Sequence, residues 1–129
     1  SDQHKGNKDW ADDFKTNEHN YITALQYYHQ LCYNYINLGD AEELWKYTAQ
    51  QVIPKNQDAL KAEASFQPDK KYYRTYGNHD LLWKNKLDVA IHLKDIFKMM
   101  CRNSKCSVII FLALAMAVLD FISCPIKFW

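Results

Sequence analysis

The sequence predicts an α/β fold in which helices pack on a short-stranded sheet. Two short runs rich in Tyr and Ile, residues 33–38 and 71–76, read as strands, and each stops at a Gly. Around them lie segments whose apolar residues recur at three- and four-residue steps, the mark of amphipathic helices. Only three Gly and three Pro stand in 129 residues, which implies few tight turns and long continuous elements.

In chain order, residues 1–13 are polar and read as a loop. From 13 to 31 the residues Phe14, Tyr21, Ile22, Leu25, Tyr28 and Cys32 form one apolar helical face. The strand at 33–38 (YNYINL) ends in Gly39-Asp40. Residues 42–52 carry Leu44, Trp45, Ala49 and Val52 at helical spacing, with acids at the start where the macrodipole favours them. Pro54 interrupts that run, and a second helical piece is expected to continue to about Phe66. Pro68-Asp69 is a turn, and the strand at 71–76 (KYYRTY) leads into Gly77-Asn78-His79-Asp80. Residues 81–100 return to helical spacing through Leu82, Leu87, Ile91 and Ile96.

Residues 101–129 change character and are set apart from a domain spanning 1–100. Residues 108–119 are an unbroken apolar run, short of the roughly 20 residues a spanning helix needs. Extension across 106–126 reaches that length only by admitting Asp120, at about 2.5–3.5 kcal/mol for a charge at a helix centre. Three readings stay open: a buried element of a larger domain, a weak membrane anchor, or a tail foreign to the fold.

Sixteen Lys+Arg against fifteen Asp+Glu leave a net charge of +1, so bulk charge gives no support to a nucleic-acid partner. The four cysteines, Cys32, Cys101, Cys106 and Cys124, form no CxxC pair, which argues against zinc-ribbon and thioredoxin-type sites. Without a signal peptide they are expected to be reduced thiols in a cytoplasmic protein, peripheral to a membrane if 106–126 act as an anchor.

The chemistry is expected where the strands end. In open parallel sheets ligands bind at the carboxyl ends of strands, where loops converge. Asp40 follows the first strand and Asn78, His79 and Asp80 follow the second. Asp2 and His4 add a third contributor, since Asp-x-His in an extended segment places both side chains on one side of the backbone. These oxygen and nitrogen donors, with no sulfur, suit Mn, Fe or Zn ions in a catalytic rather than a structural site. A carboxylate such as Asp40 can bridge two ions, and a neighbouring His can protonate a leaving group.

Asp2-x-His4, then Gly39-Asp40, then Gly77-Asn78-His79-Asp80 resemble the first three sequence blocks of the calcineurin-like metallophosphoesterases. Residues 38–45 (LGDAEELW) and 76–83 (YGNHDLLW) resemble the bacterial branch that includes the UDP-diacylglucosamine pyrophosphohydrolases, and the likeness covers residues 1–85. It implies part of an α/β/β/α sandwich and a hydrolase with two divalent metal ions. Asp2, His4 and Asp40 would hold one ion, and Asp40 and Asn78 the other. His79 would contact the phosphate or leaving oxygen, and Asp80 would orient His79.

The departures are specific. Glu43 takes the acid position of the second block, but Leu44 stands where the family often has Arg. The family's downstream His ligands have no counterpart except His92, which reads as a helix-surface residue, as His19 and His29 do. The expectation is a fragment of a longer phosphoesterase, acting on a small-molecule or lipid-linked phosphate ester and inactive in isolation. Two alternatives from other classes are a non-catalytic remnant of that scaffold, suited to interfaces by its nine Tyr and four Trp, and a small membrane-anchored protein.

Overall fold

A computed structural model describes residues 2–97. Helix α1 (Phe14–Gln30) is followed by strand β1 (Tyr35–Asn37), helices α2 (Ala49–Lys55) and α3 (Gln57–Ala64), and strand β2 (Tyr72–Arg74). A 3-10 turn over Leu81–Lys84 and helix α4 (Lys86–His92) complete the order. β1 and β2 pair in parallel, as expected of the strands at 33–38 and 71–76, with Tyr35 opposite Tyr72, and the fold is α/β. The expectations for residues 101–129, and for an anchor at 106–126, lie outside the described residues. No helix among the described residues is long and apolar enough to cross a membrane.

α1 forms where the apolar periodicity places it, burying Phe14 and Leu25. Cys32, expected on that helical face, lies beyond its end, exposed and in the left-handed region. The expected helix from 42 begins only at Ala49. Its start is set by Thr48, whose extended backbone N–H donates to the Gln51 side chain at 2.9 Å, the T-x-x-Q signal of a capped helix. Glu42, read as a first-turn acid, pairs instead with Lys5 in an isolated parallel bridge. Pro54 sits inside the last turn of α2, which ends one residue later. The helix expected over 81–100 is broken at Asn85, whose side chain accepts from Leu87 N–H and so caps α4; residues 98–100 lie outside the described part.

The apolar core joins Leu25 of α1, Ala49 and Ile53 of α2, Leu60 of α3, Phe66, Tyr72 of β2, Trp83, Val89 of α4, Leu93 and Phe97. Beside it runs a buried polar network. Lys5 Nζ donates to Glu63 Oε1 at 2.7 Å, and Tyr21 OH donates to the same oxygen at 2.9 Å. Tyr72 OH donates to Glu63 Oε2 at 3.2 Å, while the Tyr21 and Tyr35 hydroxyls are 2.6 Å apart. Burial, with the Glu63 charge nearby, holds all three phenols well above their ordinary value of 10.0, so they act as neutral donors. Tyr35 of β1 and Tyr72 of β2 thus serve the interior.

A second part of this network lies under the strand ends. Arg74 Nη2 pairs with Glu42 Oε2 and lies 3.3 Å from Asp80 Oδ2, and Trp83 Nε1–H donates to Glu42 at 2.8 Å. Glu42, Arg74 and Asp80 are all fully or almost fully buried. Burial alone would raise the Glu42 carboxyl, but the Arg74 and Lys5 charges outweigh it and hold the group below its ordinary 4.5. Trp83 and Arg74 thereby tie the 3-10 turn and β2 to the segment after β1.

Candidate metal centre

Three segments meet at the carboxyl ends of the two parallel strands. The N-terminal segment runs beside residues 39–43: His4 N–H donates to Asp40 O at 3.0 Å, Lys5 N–H to Ala41 O at 2.8 Å, and Glu43 N–H to Lys5 O at 3.0 Å. The loop after β2 is tied to the same residues, with His79 N–H donating to Asp40 Oδ1 at 2.8 Å and Leu44 N–H to His79 O at 3.1 Å.

Two glycines make that approach possible. A Cβ on Gly39, which has φ +96°, would lie 2.6 Å from Gly77 N. A Cβ on Gly77 would lie 2.2 Å from Asp40 Oδ1, so any side chain there would displace the carboxylate. The two Gly positions that end the strands in the sequence are therefore the points where the loops touch.

The geometry brings Asp2, His4 and Asp40 together, with one donor atom from each within 4.8 Å of the others. His4, Glu43 and His79 form a second set within the same limit, so His4 belongs to both. His4 Nε2 lies 4.0 Å from Asp2 Oδ1, and its Nδ1 lies 3.4 Å from Glu43 Oε2. The His4 and His79 rings meet edge to face at 4.3 Å. Asn78 is exposed in the turn next to Gly77, the residue against which the Asp40 carboxylate lies.

The route to this convergence differs from the one expected. Asp2 and His4 are not extended: their φ angles are +56° and +47°, and Asp40 has +50°. The left-handed region costs roughly 1–2 kcal/mol per non-glycine residue, though Asp and His tolerate it better than most. All three residues of the first set are in it, as are Lys8, Cys32 and Lys70 outside the set. Backbone hydrogen bonds from neighbouring segments hold the strained residues in place.

Asp80 does not take the role the resemblance implies. Its carboxylate is fully buried and accepts from Gly77 N–H at 2.6 Å, Ala41 N–H at 3.0 Å and Asp40 N–H at 3.2 Å, beside Arg74. With its oxygens committed to those donors, it fixes the two loops and leaves His79 to another partner. That partner is Glu43, whose Oε1 lies 2.9 Å from His79 Nδ1. Burial alone would raise the Glu43 carboxyl, but the hydrogen bond and charge of His79, with Lys46 and His4, outweigh it and keep the group below 4.5. Glu43 is thus ionised at neutral pH and can only accept in its bond with His79 Nδ1, which orients the ring and leaves Nε2 outside that bond. The spacing Gly-Asp-x-x-Glu was the sequence signal for Glu43; nothing in it showed that the acid would meet a His in another loop.

His92 stands at the end of α4 with its ring against Trp83, at 6.3 Å between centroids. His19 is exposed on α1, and His29 packs edge-on against Phe66.

The donor set fits a divalent cation. It offers carboxylate and imidazole groups without sulfur. His4 Nδ1 is also buried without a hydrogen bond, 3.4 Å from Glu43 Oε2. No protein-family model, curated protein or solved structure matches the chain.

Proposed function

We propose that this centre belongs to a metal-dependent phosphoesterase, a hydrolase acting on a phosphate ester or pyrophosphate bond, within an α/β/β/α sandwich of which residues 2–97 form part. The observation that carries the reading is the meeting of Asp2, His4, Asp40, Glu43 and His79, from three separate segments, at the carboxyl ends of parallel strands. Asp2, His4 and Asp40 would hold one of two divalent ions, and Asp40 with Asn78 the other. Two such ions, when bound, supply the positive charge that polarises a phosphoryl group and activates water.

The chain's own residues have separate tasks. Asp40 is kept in place by its backbone bonds and by the His79 N–H, so its carboxylate is presented in one orientation. His79 stands beside the ligands with Nδ1 held by Glu43, oriented to give a proton to the leaving oxygen or to neutralise charge developing on the phosphate. Asp80 and Arg74 act beneath the site as its scaffold. The resemblance assigns the second ion only Asp40 and Asn78 among the described residues, so turnover by this chain is expected to be negligible even with Mn²⁺.

Binding of inorganic phosphate, measured by calorimetry with and without Mn²⁺, tests the proposal without depending on turnover. Phosphate is expected to bind only when Mn²⁺ is present, and His79→Ala is expected to weaken it about tenfold, the size of one charge-assisted hydrogen bond. Phosphate affinity indifferent to Mn²⁺ and to His79 would overturn the reading.

A further inference from the structure

The set formed by His4, Glu43 and His79 has a geometry of its own. Both imidazoles turn Nδ1 to the same carboxylate: His79 Nδ1 lies 2.9 Å from Glu43 Oε1, and His4 Nδ1 lies 3.4 Å from Glu43 Oε2. The His4 contact is not a hydrogen bond, although that nitrogen is shut off from water. It matches instead the edge of a tetrahedron, since two donors bound to one zinc at about 2.0–2.1 Å stand about 3.3 Å apart. One donor from each residue lies within 4.8 Å of the others, and the Glu43 side chain is only 8% exposed. The backbone fixes all three beforehand: His4 N–H donates to Asp40 O, Glu43 N–H to Lys5 O and His79 N–H to Asp40 Oδ1. Lys46 Nζ lies 3.8 Å from Glu43 Oε2, but that side chain is 63% exposed and can turn to water.

We propose that His4, Glu43 and His79 form a zinc site, with water as fourth ligand, whose occupation excludes the ion held by Asp2, His4 and Asp40. Two imidazoles and one carboxylate suit Zn²⁺, whereas the two carboxylates of the other set suit Mn²⁺. The exclusion follows from His4. Its Nε2 is the nitrogen nearer Asp2, 4.0 Å from Oδ1, while Nδ1 faces Glu43. A neutral imidazole has one lone pair, so His4 serves one ion at a time. Zinc on Nδ1 of both rings leaves each ring proton on Nε2. Zn²⁺ is therefore an antagonist of the neighbouring centre, and only that consequence rests on the phosphoesterase reading.

The test titrates the full chain with Zn²⁺ and with Mn²⁺ by calorimetry, in two variants that each remove a ligand of one set alone. His79→Ala is expected to weaken Zn²⁺ by at least about 100-fold and to leave Mn²⁺ affinity unchanged, and Asp2→Asn to do the reverse. In the unaltered chain saturating Zn²⁺ should suppress Mn²⁺ binding, and Co²⁺ in place of zinc should give the intense visible absorption of a tetrahedral site. Zn²⁺ affinity lost in Asp2→Asn but kept in His79→Ala would put both ions in the first set and overturn the proposal. A pale octahedral Co²⁺ spectrum, or Mn²⁺ affinity indifferent to saturating Zn²⁺, would also overturn it. Zn²⁺ bound through His79 in a chain that binds no Mn²⁺ would uphold the zinc site and overturn the phosphoesterase reading instead.

Discussion

Arg74→Met is expected to destabilise the fold by about 3–5 kcal/mol, the usual consequence of removing one partner from a buried ion pair. The Arg74 guanidinium pairs with Glu42 and lies beside Asp80, and neither carboxylate is open to water. Methionine fills much of the volume but leaves two buried negative charges, of which only Glu42 keeps a cation near it, Lys5 Nζ at 3.5 Å. Typical domains are stable by about 5–15 kcal/mol, so the loss takes a large share of the total. Urea unfolding is the measurement, with the double variant Arg74→Met, Glu42→Gln alongside it. The double variant should lose less than the two single changes summed, because they remove the same interaction. Additive losses, or a change below about 0.5 kcal/mol for Arg74→Met, would contradict the network.

Asp80→Asn is expected to act on both fold and site. One Asp80 oxygen accepts from the N–H groups of Gly77 and Asp40, and the other from Ala41 N–H, with Arg74 beside it. An amide keeps only one acceptor oxygen and turns an NH₂ group toward backbone donors, in a place without water to relieve the mismatch. The expected loss is about 3 kcal/mol of stability, with Mn²⁺ affinity about 10–100-fold lower because the loops carrying Asp40 and His79 shift. Stability unchanged in urea, with phosphate binding lost, would instead return Asp80 to the role of orienting His79.

The features legible in the sequence were those carried by local chemistry. Tyr and Ile runs ended by Gly predicted both strands, and their parallel pairing followed from the helices between them. The same rule brought Asp40 and the 77–80 turn to one end of the sheet. What was not legible depended on distant partners. Glu42 and Glu43 read as first-turn acids of a helix because the macrodipole argument is local, whereas their partners, Arg74 and His79, stand in other segments. Arg74 shares the buried side of β2 with Tyr72, where a charged residue is ordinarily expected to face water. The left-handed backbone at Asp2, His4 and Asp40 left no sequence signal of its own, since Asp and His adopt many conformations.

Mn²⁺ titration followed by calorimetry tests the proposed binding of an ion by Asp2, His4 and Asp40. The unaltered chain is expected to bind Mn²⁺, Asp40→Asn to weaken binding by at least about 100-fold, and His92→Ala to leave it unchanged. That figure follows because loss of even an outer partner of a metal site costs about 10–100-fold, and Asp40 is proposed as a direct ligand. Mn²⁺ affinity equal in the unaltered chain and in Asp40→Asn, or lost in His92→Ala, would overturn the proposed centre.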